Sequence, residues 1–125
     1  MIRVLVRDVR YGNYERVMDG SILCELLHPG REEGHIPMRY SIAHAIVPKG
    51  KSTLPHRLKA SSEVYYILSG AGRMHIDGES APVRPGQAVF IPPGAVQCIE
   101  NTGADALTFL AIVDPQWRAG DEELV

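Results

Sequence analysis

Short runs rich in Val, Ile, Leu and Tyr recur along this chain, separated by evenly scattered Gly and Pro. This is the pattern of an all-β sandwich or barrel built from many short strands. No segment outside the termini carries a convincing helical period, and no internal repeat or low-complexity tract appears. Met1 to Val9 alternates, with Ile2, Val4 and Val6 on one face and Arg3, Leu5 and Arg7 on the other, and reads as a first strand. Tyr11 to Asp19 reads as a loop, Ser21 to Leu27 as a second strand, and His28 to Gly34 as an exposed loop. Further strands are predicted over Tyr40–Val47, Leu54–Leu58, Glu63–Leu68, Arg73–Ile76, Ser80–Val83, Ala88–Ile91, Val96–Glu100 and Leu107–Val113. Asp77-Gly78 closes a hairpin between the Arg73 and Ser80 strands. Pro115 to Val125 is acidic at its end and reads as a short helix or a tail. About ten strands in so short a chain suit an antiparallel jelly roll, which protects its edges by packing two sheets together.

Composition narrows the function classes. The length suits one domain spanning residues 1–125. A formal net charge of -2 gives no reason to expect nucleic acid or an anionic membrane as partner. No apolar run approaches the ~18 residues that cross a bilayer. Charges interrupt the N-terminal apolar positions, so no secretory signal is predicted and the expected location is the cytoplasm. Cys24 and Cys98 are too far apart for a CxxC site and read as free thiols packed in strands.

Two glycine-punctuated segments carry the candidate chemistry. The first contains Gly50, His56, Leu58, Glu63 and Gly70; the second contains Gly86, Pro92, Gly94, Gln97 and Asn101. Together they resemble the paired motifs of the cupin superfamily, G-x5-H-x-H-x3-4-E-x6-G and G-x5-P-x-G-x2-H-x3-N. The resemblance covers residues 38–114, leaving an N-terminal region 1–37 and a tail 115–125 outside it. It implies an antiparallel jelly-roll barrel, the cupin-type double-stranded β-helix, and a homodimer whose N-terminal strand adds to the partner's sheet. Leu58 and Gln97 stand where the family has its second and last histidines. No phosphate loop, GxSxG or HExxH signature is present.

Alternate strand residues share a face, so His56 with Leu58, Glu63 with Tyr65 and Ile67, and Gln97 with Ile99 form three rows. The resemblance turns all three inward and brings His56, Glu63 and Gln97 together. It implies a divalent transition metal there: iron, manganese, nickel, zinc or copper. His44 is a candidate extra ligand, or else a strand residue facing solvent or a dimer partner. Glu63 and Tyr65 are the candidate catalytic groups. A buried carboxyl without metal needs a partner or a raised pKa, which beside His56 would make the two an acid and a base, and Tyr65 would hydrogen-bond the substrate or act as acid. His28, His35 and His75 read as exposed, Trp117 as a packing anchor, and Lys49, Lys51, Arg57 and Lys59 as a solvated basic face. Two functions follow: a metal-dependent enzyme on a small molecule, or a metal-free barrel that binds or senses a small ligand. A third, a purely structural protein, predicts that His56, Glu63 and Gln97 do not converge.

Overall fold

The computed structural model describes residues 4–31 and 36–125. In chain order the strands are β1 (Glu15–Arg16), β2 (Ile22–Leu27), β3 (Ser41–Val47), β4 (His56–Leu58), β5 (Ser62–Ser69), β6 (Gly72–Ile76), β7 (Glu79–Val83), β8 (Ala88–Ile91), β9 (Gln97–Asn101), β10 (Leu107–Asp114) and β11 (Glu122–Leu124). They form two antiparallel sheets, β1-β2-β3-β10-β5-β8 and β11-β4-β9-β6-β7. The inner faces pack around Ala45, Val47, Tyr65, Ile67, Met74, Val83, Ile91, Ile99, Leu107, Phe109 and Ala111. This is the jelly-roll architecture the strand pattern predicts.

Inward and outward residues alternate cleanly where one face meets the core. Along β3, Ser41, Ala43, Ala45 and Val47 are buried, while Ile42, His44 and Ile46 are only partly so. The motif residues explain themselves locally. Gly50, Gly70, Gly86 and Gly94 all have positive φ, between 75° and 88°. At Gly70 a side chain is also excluded by space, because a Cβ would lie 2.6 Å from the Ala106 carbonyl oxygen. Asn101 donates to the Val47 and Asp105 carbonyls and accepts from the Gly103 amide. It therefore ties a turn to a strand end and carries no chemistry.

Two terminal expectations fail. Met1–Arg3 lie outside the described residues, and residues 4–8 form no strand; Val4 and Val6 are 93% and 74% exposed. Alternation without a buried face gives such a segment nothing to pair against. The chain instead makes a 3-10 turn at Val9–Tyr11 before β1 pairs with β2 at the edge of the first sheet. At the other end, the expected short helix is a single 3-10 turn at Ala119–Asp121, and the residues after it form β11, which pairs with β4 through Glu122↔Leu58 and Leu124↔His56. Asp121 sets this docking. Its two carboxylate oxygens accept from the Ala60 and Ser61 amides at 2.8 and 3.1 Å, and its carbonyl accepts from the Lys59 amide. Asp121→Ala should cost roughly 2–4 kcal/mol, since it strands two amides in a largely buried place. Urea unfolding would read this as a lowered midpoint at unchanged slope.

Candidate functional site

A cavity of about 670 Å³ opens between the sheets. Small side chains make room for it: Ala43 and Ala45 on β3 and Ala111 on β10 line its wall, with Tyr65 and Phe109 beside them. His56, Leu58 and Glu63 face it as well. These three are 3%, 4% and 8% exposed and mark its deep end, whereas Tyr11, Arg16 and Arg31 are exposed and mark its mouth.

The inward rows predicted from spacing are all buried. His56 and Gln97 are direct cross-strand partners on β4 and β9. The Gln97 amide donates to Glu63 Oε1 at 3.0 Å. Gln97 itself, with Ile67 and Ile99, packs behind the cavity wall. Burial pushes the Glu63 carboxyl up to about 8, and the charges of Asp19 and Glu122 add to the rise; the Gln97 hydrogen bond opposes it. The shift favours the protonated carboxyl at neutral pH. Burial, then the nearby Glu63, likewise holds the Tyr65 phenol well above its ordinary range. Tyr65 stacks on Phe109 with centroids 4.3 Å apart, and its hydroxyl has no hydrogen bond among the described residues.

Sequence reasoning missed Asp19. It precedes the Gly20 turn between β1 and β2, lines the cavity and is 8% exposed. Its Oδ2 lies 3.5 Å from His56 Nε2, while its Oδ1 accepts from the Ser21 amide and hydroxyl at 2.9 and 2.6 Å. The Asp19 carbonyl accepts from the Leu54 amide at 2.7 Å, and the Leu54 carbonyl accepts from His56 Nδ1 at 2.7 Å. This clamp fixes the imidazole with Nδ1 protonated and Nε2 turned to Asp19. The only sequence cue was an Asp-Gly pair, which reads as a turn and not as a ligand.

His44 does not join the site. It lies on the other face of β3 from Ala43 and Ala45, opposite Cys24 and Leu110. There its Nδ1 meets the Tyr14 hydroxyl at 2.8 Å, and burial lowers its pKa. Strand parity overrides the symmetric spacing about Gly50 that suggested it. His28 is buried, not exposed: Nε2 meets the Trp117 carbonyl at 2.8 Å and Nδ1 accepts from the Gly30 amide. His75 is half-buried beside Glu100, and His35 lies outside the described residues. Cys24 and Cys98 are free thiols, as predicted. Lys49, Lys51, Arg57 and Lys59 do not line the cavity.

The implied metal is tested by the donors present. Among the described residues no three His, Cys, Asp or Glu side chains converge closely enough to share an ion. Leu58 supplies no donor, Glu63 is engaged by Gln97, and His56 Nε2 faces Asp19. Transition metals favour imidazole and ionised carboxylate, so this arrangement does not fit one.

Residues 43–113 match the family model of the cupin domain. The chain belongs to the cupin family. It is 42% identical over 107 residues to an uncharacterized protein of Methanocaldococcus jannaschii, a match that covers 86% of this chain and 83% of that one. An oxalate-binding protein of Thermotoga maritima is 39% identical over 67 residues, which are 54% of this cupin and 55% of the relative. A crystal structure described as a predicted oxalate decarboxylase from Thermotoga maritima superposes with a TM-score of 0.77 at 29% identity, covering 89% of this chain and 99% of that one. KdgF from a Halomonas species superposes with a TM-score of 0.76 at 16% identity, covering 94% and 98%, and shares the fold. No helix among the described residues is long and apolar enough to cross a membrane.

Proposed function

We propose that this cupin binds a small, uncharged, polyhydroxylated molecule in its cavity without a resident metal. The polar floor carries the reading. Glu63, held neutral by burial, faces the same space as Asp19, His56 and a Tyr65 hydroxyl that has no protein partner among the described residues. Hydroxyl groups both donate and accept, which matches this mixed set. Arg16 and Arg31 carry positive charge at the mouth, while the Asp19 and Glu122 carboxylates act on Glu63 at the floor and disfavour an anion at that point. The apolar walls with a few converging polar groups are the usual make-up of a small-molecule pocket.

A second reading, a divalent cation held together with a small dicarboxylate, draws on the name of the Thermotoga relative and on Gln97 Oε1, which is buried without a hydrogen bond. It requires Glu63 to lose its proton and give up Gln97. Thermal-shift and calorimetric titrations separate the two. Erythritol, ribose or another neutral polyol should bind and raise the melting temperature, and Asp19→Asn should weaken that binding by about tenfold, the usual effect of losing one charge-assisted hydrogen bond. Binding of oxalate that appears only with manganese or zinc present would replace this reading with the second.

We also propose that the outer face of the six-stranded sheet joins a second copy of the chain. Two adjacent cross-strand rows there are largely apolar: Leu27, Ile42, Ile112, Val64 and Phe90, and beside them Leu110, Tyr66 and Ala88. Phe90 is 62% exposed and Tyr66 41%. Contiguous apolar surface of this kind marks an interaction site, and a sheet face that repeats on an identical partner closes as a two-fold dimer. Light scattering after size exclusion should give a dimer for the parent chain and a monomer for Phe90→Glu; a parent monomer would end the proposal.

A further inference from the structure

The cavity has a second end that the floor does not use. Trp117, the chain's only tryptophan, borders it together with His28, Arg31, Glu25 and Glu122. Sequence reading took this residue for a packing anchor, yet it is only half-buried. Its polar atoms are all engaged. The backbone amide donates to Ser41 Oγ at 2.9 Å, the carbonyl meets His28 Nε2 at 2.8 Å, and the indole Nε1–H donates to Glu122 Oε1 at 2.7 Å. His28 Nδ1 accepts from the Gly30 amide, so Nε2 carries the proton that the Trp117 carbonyl takes. The Arg31 guanidinium lies 5.7 Å from the ring centroid and is itself paired with Glu25 at 2.5 Å. The backbone is held on both sides of its Cα, and the indole is tied through Nε1 to Glu122 with the Arg31 guanidinium over its ring, which restrains the side chain. A ring merely filling the core would not need such a set of anchors on the border of open space.

Register places this end relative to the floor. Val113 pairs with Ser41 on one side and with Glu63 on the other. Ser41, which holds Trp117, is therefore two strand spacings from Glu63, or about 10 Å. The row beside it, Ala43, Ala111 and Tyr65, leaves the path between them open with two small side chains.

We propose that the mouth of the cavity is a second subsite, where the Trp117 indole stacks against a planar aromatic or heteroaromatic ring carried by the ligand. This deepens the reading above and rests on it for the shared cavity. The ligand class becomes a hydroxylated molecule bearing a planar ring, its hydroxyls at His56, Asp19 and Glu63 and its ring at Trp117. Because the indole is already fixed, stacking costs little reorganisation.

The test uses benzyl alcohol and its saturated counterpart cyclohexylmethanol, which differ in planarity and little in size. The single indole N–H cross-peak in a nitrogen–proton NMR spectrum reports Trp117 directly. Benzyl alcohol is expected to shift that peak saturably, with cyclohexylmethanol about five- to tenfold weaker, the range of an aromatic pair. Trp117→Leu should abolish the preference, read from the Ala43 and Ala111 amides, and Trp117→Phe should retain it. Equal binding of the two alcohols, or an indole peak that neither moves, would overturn the subsite. Asp19→Asn should weaken polyol binding while the preference for benzyl alcohol over cyclohexylmethanol, which the ring alone sets, is kept. A polyol that fails to bind beside a ring that binds would sink the floor reading alone, and the reverse would sink the subsite alone.

Discussion

Glu63→Gln is expected to stabilise this protein at alkaline pH by roughly 5 kcal/mol and to flatten its dependence on pH. The carboxyl rises from an ordinary 4.5 to about 8 in the folded chain, through burial first and the charges of Asp19 and Glu122 second. A shift of that size, at about 1.4 kcal/mol per unit, gives the figure. The sign follows from proton counting. Between 4.5 and about 8 the folded state keeps a proton that the unfolded state has released. Stability from this group is therefore complete below 4.5, falls as pH rises through that window, and is fully lost above about 8. Glutamine copies the shape of the neutral acid and cannot ionise. Subtracting the two urea-derived stability curves cancels the titrating groups that do not interact with Glu63, leaving Glu63 and its coupling to Asp19 and Glu122. The difference should grow across that window in favour of the variant; parallel curves would mean that Glu63 is ionised in the fold.

Phe109→Ala is expected to lose roughly 3–5 kcal/mol, and to disturb the site as well as the core. Phe109 is 1% exposed in the first half of β10 and packs in the core between the two sheets. Its ring packs on Tyr65 with planes inclined by 35°, a contact worth about 1 kcal/mol beyond area burial. It also lines the cavity, so the variant leaves Tyr65 without its neighbour. Polyol affinity should fall together with the urea midpoint. A loss of stability with ligand affinity unchanged would show that Tyr65 has no part in binding.

The barrel was legible because its punctuation is local. A glycine at positive φ such as Gly70 or Gly86, and Asn101 closing its own turn, leave marks at fixed spacing. Strand parity groups His56, Glu63 and Gln97 into rows by simple counting, and the motif resemblance supplies which face of each strand the barrel buries. The same counting rules out His44, once β3 is seen to present Ala43 and Ala45 to the cavity. Asp19 was illegible because its role depends on a contact across 37 residues of chain to His56, with a turn sequence that looks ordinary. Trp117 was illegible for a similar reason. Its anchors come from Ser41, His28 and Glu122, which no local pattern connects. The strand at β11 was missed because a short, acidic segment becomes a strand only when β4 offers it an edge.

Residue replacement explains the altered floor. Leu58 and Gln97 occupy two positions where the cupin motifs carry imidazole. Gln97 donates to Glu63 directly and opposes the rise in its pKa, but burial outweighs that bond and holds the carboxyl towards its protonated form. A neutral acid that accepts and donates suits hydroxyl recognition better than ion binding.

The most direct test of this account is the metal content of the untagged protein, purified without chelator and then titrated calorimetrically with manganese, iron, nickel and zinc. The account predicts trace metal only and no saturable heat with any of the four ions. Near-stoichiometric metal that disappears in His56→Ala would contradict it and return the site to metal chemistry.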